Sequence, residues 1–266
     1  MYDLNNQERM TVEQLLEFAK RTRDEVDGFV SAISADTVVT FFDAMGVSLV
    51  VKEMATFDDV YILVKHNRFE GAKVRLRSIW ESLIILKYVV HSAIENDVAA
   101  KALYLCDENK RVNIAQNNGF WNILPADVKD ERQKLADEYK SLDADLKTFA
   151  KRPLEQMHDE IVKIDPASLP PIQIGSISVG QYDVVFRTFS ELIHGGLPGS
   201  RNQVQQWMED SSISAAKIEA ETEGTLTSAC ALLCNIINVW VKHSSEEHYS
   251  EAWNDSCSTQ NLREIN

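Results

Sequence analysis

Apolar residues recur every three or four positions along most of this chain, which is the spacing of one face of an α-helix. Residues 11–33 show this pattern first, and Thr11 with Gln14 forms a capping box that predicts where the helix begins. A second helix is predicted over residues 36–54. The inward stripe of the first predicted helix comprises Leu15, Phe18, Ala19, Val26, Phe29, Val30 and Ile33.

Two long helices are predicted at the centre of the fold. The first spans residues 57 to about 94, after a capping signature at Thr56 and Asp59, and the second spans residues 214–243. Each carries an apolar stripe at helical spacing. The first stripe comprises Ile62, Phe69, Ala72, Leu76, Ile79, Leu83, Leu86 and Val90, and the second comprises Leu226, Ala229, Cys230, Leu233, Ile236, Ile237 and Trp240.

Shorter helices and one long break complete the pattern. The shorter helices are predicted over residues 97–118, 127–150, 153–164 and 182–194, with Gly119 ending the first of them. Residues 165–180 hold three prolines and two glycines, which indicates a linker or a long loop over a site. We therefore predict a helical segment over residues 1–55, a main bundle over 56–243 and a polar C-terminal tail over 244–266.

Composition supports an all-α fold, a helical bundle with two long central helices. Only 10 Gly and 6 Pro punctuate 266 residues, too few for the frequent turns of a β-sandwich. The net charge of −14 disfavours phosphate-backbone and lipid partners except at a local basic patch. The four cysteines lack zinc spacing, and neither a signal peptide nor a membrane span is predicted. We expect a cytoplasmic protein that needs no metal and no cofactor and has no membrane partner.

Arg77 and Glu81 are charged residues within one of the most apolar stretches of the chain. They are four residues apart, so their side chains meet on one face of the predicted helix. One interpretation is an ion pair that orients the helix in the bundle. The other is a functional pair, in which Glu81 fixes Arg77 in a cleft where a ligand binds.

A second polar group lies on the helix predicted over 182–194. Arg187 and His194 are seven residues apart, almost two helical turns, so they share a face, with Ser190 between them. His194 is suited to proton transfer near neutral pH, and Arg187 can hold a phosphate and stabilise charge developing on it. Such a pair suffices for metal-free RNA cleavage. The alternative is a surface pair of Arg187 with Glu191, and a histidine stabilised by the helix dipole.

A local concentration of basic residues leads into Arg77. Six basic residues fall within thirteen positions and are opposed only by Glu70: Lys65, His66, Arg68, Lys73, Arg75 and Arg77. In a protein of this net charge, the run points weakly to a phosphate ligand, although a solvated helix face would look the same. We therefore assign Lys73, Arg75, Arg77, Glu81 and Ser190 as candidate substrate-binding residues, and Arg187 and His194 as candidate catalytic residues.

The Arg-x6-His spacing at 187 and 194 resembles the motif of the HEPN superfamily, helical bundles that include many metal-independent ribonucleases of toxin–antitoxin and phage-defence systems. Over roughly residues 60–240 the chain also resembles an uncharacterised bacterial family with Arg-x3-Glu on one helix and Ser-x3-His on another. The residues here are Arg77, Glu81, Ser190 and His194, with Tyr182 and Phe186 as the aromatic residues before the second motif. The HEPN resemblance implies an RNA substrate and a homodimer whose active clefts form between protomers.

Two other functions remain open from the sequence. The chain is compatible with a non-catalytic binding module, sensor or adaptor, with Trp207 and Trp253 available to a protein partner. It is equally compatible with an enzyme or receptor for a small anionic ligand held between Arg77 and Arg187.

Overall fold

A computed structural model describes residues 10–33, 38, 40–169, 172–174, 177–179 and 215–258. The fold is all-α, as predicted, and the described helices form a packed bundle. The helices are α1 (Val12–Ala32), α2 (Phe41–Lys65), α3 (Phe69–His91), α4 (Asn96–Asn117), α5 (Ala126–Ser141), α6 (Ala144–Ala150), α7 (Leu154–Ile164), α8 (Ala215–His243) and α9 (Glu247–Ser258), with a 3₁₀ turn over Phe120–Ile123.

Helix α1 begins and ends within a residue of its predicted limits. The Thr11 hydroxyl accepts a hydrogen bond from the backbone N–H of Gln14 at 3.2 Å, and the Gln14 side chain accepts one from the backbone N–H of Thr11 at 2.7 Å. The capping box is therefore confirmed. The helices predicted over 97–118, 153–164 and 214–243 are also confirmed as α4, α7 and α8.

The prediction of one helix over residues 57–94 is wrong. The interruption between helices falls near residue 67 and not near residue 55. Thr56 is not an N-cap residue. Its hydroxyl donates a hydrogen bond to the carbonyl of Lys52, one turn earlier in the continuous helix α2. Asn67 adopts a left-handed φ of 57°, and the Arg68 N–H donates to the carbonyl of Leu63 at 2.7 Å. This is a Schellman ending with asparagine in the position usually held by glycine. The predicted boundary at residues 55 and 56 falls inside α2.

Two further predictions about helix limits need correction. Residues 127–150 form two helices, because Asp143 accepts a hydrogen bond from the N–H of Leu146 and so begins α6. The tail predicted to be polar and loose from residue 244 instead contains α9, whose Tyr249 is fully buried. Trp253, predicted as an exposed partner contact, is only 8% exposed and donates its indole N–H to Asn238.

The main core lies among α1, α2, α3, α7, α8 and α9. Helix α8 packs against α1, α2 and α3, and all seven residues of its predicted inward stripe are buried. The closest approach is at Gly46 of α2, where an added methyl group would overlap the indole ring of Trp240. A smaller core joins α4 to α5 and α6 through Leu105, Cys106 and Tyr139.

Two short strands, β1 (Ile172–Ile174) and β2 (Ile177–Val179), pair antiparallel in the region predicted only as a loop or linker. The pairing sets Ile172 opposite Val179. Helix α8 is long and apolar enough to cross a membrane, with a mean hydropathy of 1.5 over its best window. Half of that window is buried inside the bundle, however, which is typical of a core helix.

Candidate functional site

Arg77 and Glu81 form the ion pair that their spacing predicts. Arg77 Nε lies 2.6 Å from Glu81 Oε1, one turn along α3. The Arg77 side chain is 15% exposed and that of Glu81 is 32% exposed. The guanidinium is therefore the deeper partner, and the carboxylate fixes its orientation from the solvent side.

Lys73 lies one turn before Arg77 and joins α3 to α8. Its ammonium is 2.9 Å from Glu221 Oε2 of α8 and 3.3 Å from Glu70 Oε1. Burial alone would lower the pKa of Lys73, but the hydrogen bond to Glu221 and the charge of Glu70 outweigh it and raise the pKa. Lys73 is therefore a firmly protonated residue that ties the start of α3 to α8.

The rest of the basic run is more exposed. Arg75 pairs with Asp59 of α2 at 3.2 Å, with both side chains about half exposed. Lys65, His66 and Arg68 are exposed around the turn between α2 and α3. Carboxylates thus pair with Lys73, Arg75 and Arg77. Lys65 and Arg68 at the turn form no ion pair with any residue that the structure describes.

The second predicted group lies outside the described residues. This holds for Arg187, Ser190 and His194, and also for Tyr182, Phe186 and Trp207. The structure therefore pairs Lys73 with Glu221 and Arg77 with Glu81 on successive turns of α3, and the predicted convergence of Arg77 with His194 stays a prediction.

Comparison with protein families matches residues 43–212 to DUF5677, a family of unknown function. The chain belongs to this family. Neither curated proteins nor solved structures gave a match. The segment matched to DUF5677 runs from α2 through residue 212, so it holds all seven predicted site residues, whereas α1, α8 and α9 flank it.

The DUF5677 segment also holds a buried polar cluster that sequence reasoning missed. The Glu53 carboxylate of α2 is fully buried and accepts a hydrogen bond from the Ser82 hydroxyl of α3 at 2.6 Å. Lys52 Nζ lies 2.7 Å from the same carboxylate oxygen, Oε1. The other oxygen, Oε2, has no hydrogen-bond partner among the described residues. The sequence does carry a signal for this cluster, which is a glutamate within the mostly apolar residues 47–57. This cluster holds α2 against α3 at Ser82, which directly follows Glu81 in the chain.

A third polar group of the DUF5677 segment lies at the far end of α3. Lys87 donates to the carbonyl of Ser168 at 2.6 Å, and His91 Nε2 lies 3.2 Å from the Ser168 hydroxyl. Burial lowers the pKa of Lys87 and of His91, and nearby Lys242 lowers that of His91 further. The spacing of Lys87 and His91 on α3 was visible in the sequence. Their partner Ser168 lies far along the chain, so its contact was not predictable.

Proposed function

We propose that this chain is a metal-independent endoribonuclease-like effector of a bacterial toxin–antitoxin or phage-defence system. The observation that carries the proposal is the Arg77–Glu81 pair: a mostly buried guanidinium held by a carboxylate at 2.6 Å, on a helix with many buried apolar residues. The family segment that contains this pair also contains Arg187, Ser190 and His194. In the proposal, Arg77 and Glu81 support the phosphate group on which Arg187 and His194 act.

The proposed reaction is transesterification of an RNA phosphodiester. The 2′-oxygen forms a bond to the adjacent phosphorus while the bond from phosphorus to the 5′-oxygen breaks. His194 accepts the proton of the 2′-hydroxyl, a water molecule donates a proton to the leaving 5′-oxygen, and Arg187 stabilises the charge on the phosphorane. The products are a 2′,3′-cyclic phosphate and a 5′-hydroxyl. No oxidation state changes, so the balanced step includes no redox partner, and it includes no metal ion.

The proposed setting is the cytoplasm, with a homodimer as the active form. All four cysteines are free thiols, which suits a reducing compartment. The HEPN resemblance implies that two protomers bring their Arg187 and His194 pairs into one cleft. Because the protein carries a net charge of −14, the RNA contact must be confined to a local basic surface, and the turn at Lys65, His66 and Arg68 supplies the exposed charge.

RNA cleavage in EDTA tests the proposal. Wild type is expected to cleave a mixed-sequence RNA, and Arg187→Ala and His194→Ala are expected to lose at least about a hundredfold in rate. Matched controls are Arg111→Ala and His243→Ala, at exposed positions outside the proposed site, which should retain the wild-type rate. Equal background cleavage by wild type and His194→Ala would defeat the proposal.

The ion pairing of the basic run favours a second candidate, a sensor for a small anionic ligand. Carboxylates neutralise Lys73, Arg75 and Arg77, which suits a compact ligand near one guanidinium better than a long polyanion. Nucleotides and carboxylate metabolites would then raise the melting temperature of the wild type and not of Arg77→Ala. A library without any stabilising anion would argue against this candidate.

A further inference from the structure

A cavity of about 410 Å³ lies between α1, α8 and α9. Three faces enclose it: the first half of α1, the middle of α8 and the second half of α9. Its volume is within the range of pockets that hold small organic molecules. The lining residues are Met10, Leu15, Phe18, Thr22, Thr227, Cys230, Ala231, Cys234, Asn235, Asn238, Trp253, Asn254 and Cys257.

Among the residues that the structure describes, the wall of this cavity carries no charged side chain, although 26% of the chain is Asp, Glu, Lys or Arg. The thiols do not supply charge either, because burial raises the pKa of Cys230 to about 11 and that of Cys234 to about 12. An ion seated against the buried lining residues Leu15, Cys230 and Trp253 would lose part of its hydration without gaining a counter-charge from the described wall. The wall therefore selects against charged ligands.

The polar groups of the wall are mainly carboxamides. Asn235 and Asn238 come from α8 and Asn254 comes from α9. A carboxamide offers a donor and an acceptor together, so it can pair with an amide, a hydroxyl or a heterocycle edge. Thr22 and Thr227 add hydroxyl groups. This arrangement provides a polar edge beside the otherwise apolar surface of Leu15 and Phe18.

The aromatic wall is held rigidly before any ligand arrives. The Trp253 indole N–H donates to Asn238 Oδ1 at 2.8 Å, which fixes both the ring and the carboxamide. On its other side, the Trp253 ring packs edge-on against Phe29 at a centroid distance of 5.3 Å. Preorganised walls lower the entropy lost on binding, which favours affinity for a ligand that fits.

We propose that this cavity is a binding site for an uncharged, largely apolar small molecule with one hydrogen-bonding edge. Every lining residue falls outside the segment matched to the family, at residues 10–22 and 227–257. The site is therefore separate from Arg77 and Glu81, and it stands whether or not the chain cleaves RNA.

The probe for the test is N-phenyl-1-naphthylamine, an uncharged fluorophore whose naphthalene and phenyl groups are joined by one N–H donor. Its fluorescence should rise on titration into the full-length protein and saturate at one probe per chain. The sulfonated analogue 8-anilinonaphthalene-1-sulfonate has the same ring systems and a negative charge, so its affinity should be at least about tenfold weaker. Equal binding of the two probes would overturn the uncharged ligand class.

Cavity-filling substitutions locate the binding. Ala231 is an exposed lining residue of α8, and Ala231→Trp should weaken the uncharged probe by at least about tenfold. Ala220→Trp, at an exposed position of α8 outside the cavity, is the matched control and should bind as wild type. Thr227→Trp is a second filling variant in case the first does not fold. Unchanged probe affinity in the folded filling variants, or no saturable signal in wild type, would refute the site.

Discussion

Arg77 Nε and Glu81 Oε1 lie 2.6 Å apart on α3, and the guanidinium is the more buried of the two groups. A carboxylate that is more exposed than its partner can orient the cation without removing it from a ligand's reach. Exposed ion pairs at this spacing contribute only about 0.3–0.5 kcal/mol to stability. Because the Arg77 side chain is only 15% exposed, its effect on stability has to be measured beside its effect on function.

Arg77→Met separates the two roles of this pair. If the pair supports RNA cleavage, the rate in EDTA falls at least about tenfold while the free energy of unfolding changes by less than about 1 kcal/mol. Arg21→Met removes an exposed pair with Glu17 of the same spacing and is the control. The functional role fails if the variant loses stability and keeps its cleavage rate.

Gly46→Ala and Gly224→Ala are expected to change stability in opposite directions. At Gly46 the methyl group would overlap the Trp240 ring, so we expect a loss of roughly 1–3 kcal/mol from overpacking. At Gly224 of α8 an added Cβ meets no atom within 4 Å, so the better helix propensity of alanine should add roughly 0.5–1 kcal/mol. Chemical denaturation measures both, and equal effects would contradict the close contact of α2 with α8.

Glu25 of α1 makes stability depend on pH. Its two carboxylate oxygens are buried and have no hydrogen-bond partner in the described part of the chain, and burial raises its pKa from 4.5 to about 7, opposed by the charge of Arg21. The folded state keeps a proton that the unfolded chain releases above pH 4.5. The stabilisation is thus fully present below pH 4.5 and is lost as pH rises to about 7.

Glu25→Gln should remove this dependence. Relative to wild type, we expect it to gain roughly 1–3 kcal/mol between pH 5 and pH 8, because an unpaired buried charge no longer forms. Unfolding in denaturant at the two pH values gives the difference, with the exposed Glu17→Gln on the same helix as control. Parallel pH profiles of wild type and Glu25→Gln would show that Glu25 does not carry the effect.

Asn67 sets the turn between α2 and α3. Because its φ is 57°, Asn67→Gly should leave stability unchanged or slightly raise it, whereas Asn67→Val should cost roughly 1–2 kcal/mol. The comparison isolates backbone conformation, since Asn67 is exposed. If both variants melt together with wild type, the turn does not depend on the left-handed residue.

The fold class and most inward stripes followed from periodicity, because burial of one helix face depends on residues near in sequence. The break at Asn67 did not, since the apolar spacing in the sequence stays in phase from Ile62 to Phe69 while the backbone turns. Ile62, predicted to face inward, is 54% exposed. The prediction of a loose polar tail after residue 244 was also wrong. Its helix α9 is stabilised by tertiary burial of Tyr249 and Trp253, which local composition does not reveal.

The candidate site was predictable only where its partners share a helix. The Arg77–Glu81 contact follows from i,i+4 spacing, but the contact of Lys73 with Glu221 joins residues far apart in the chain. The contact of Glu53 with Ser82 also joins residues far apart in the chain. The cavity beside Trp253 likewise combines residues of three separate helices. Such contacts depend on how helices pack. The pattern of apolar positions does not specify which residues of two helices lie opposite each other.

The chemical identity of the RNA ends tests the proposed function most directly. After incubation with wild-type protein in EDTA, a labelled RNA should yield fragments that end in 2′,3′-cyclic phosphate and begin with 5′-hydroxyl, and His194→Ala should yield none above the no-protein background. Fragments with 3′-hydroxyl and 5′-phosphate ends, or identical fragments from wild type and His194→Ala, would contradict the assignment of His194 as the residue that moves the proton.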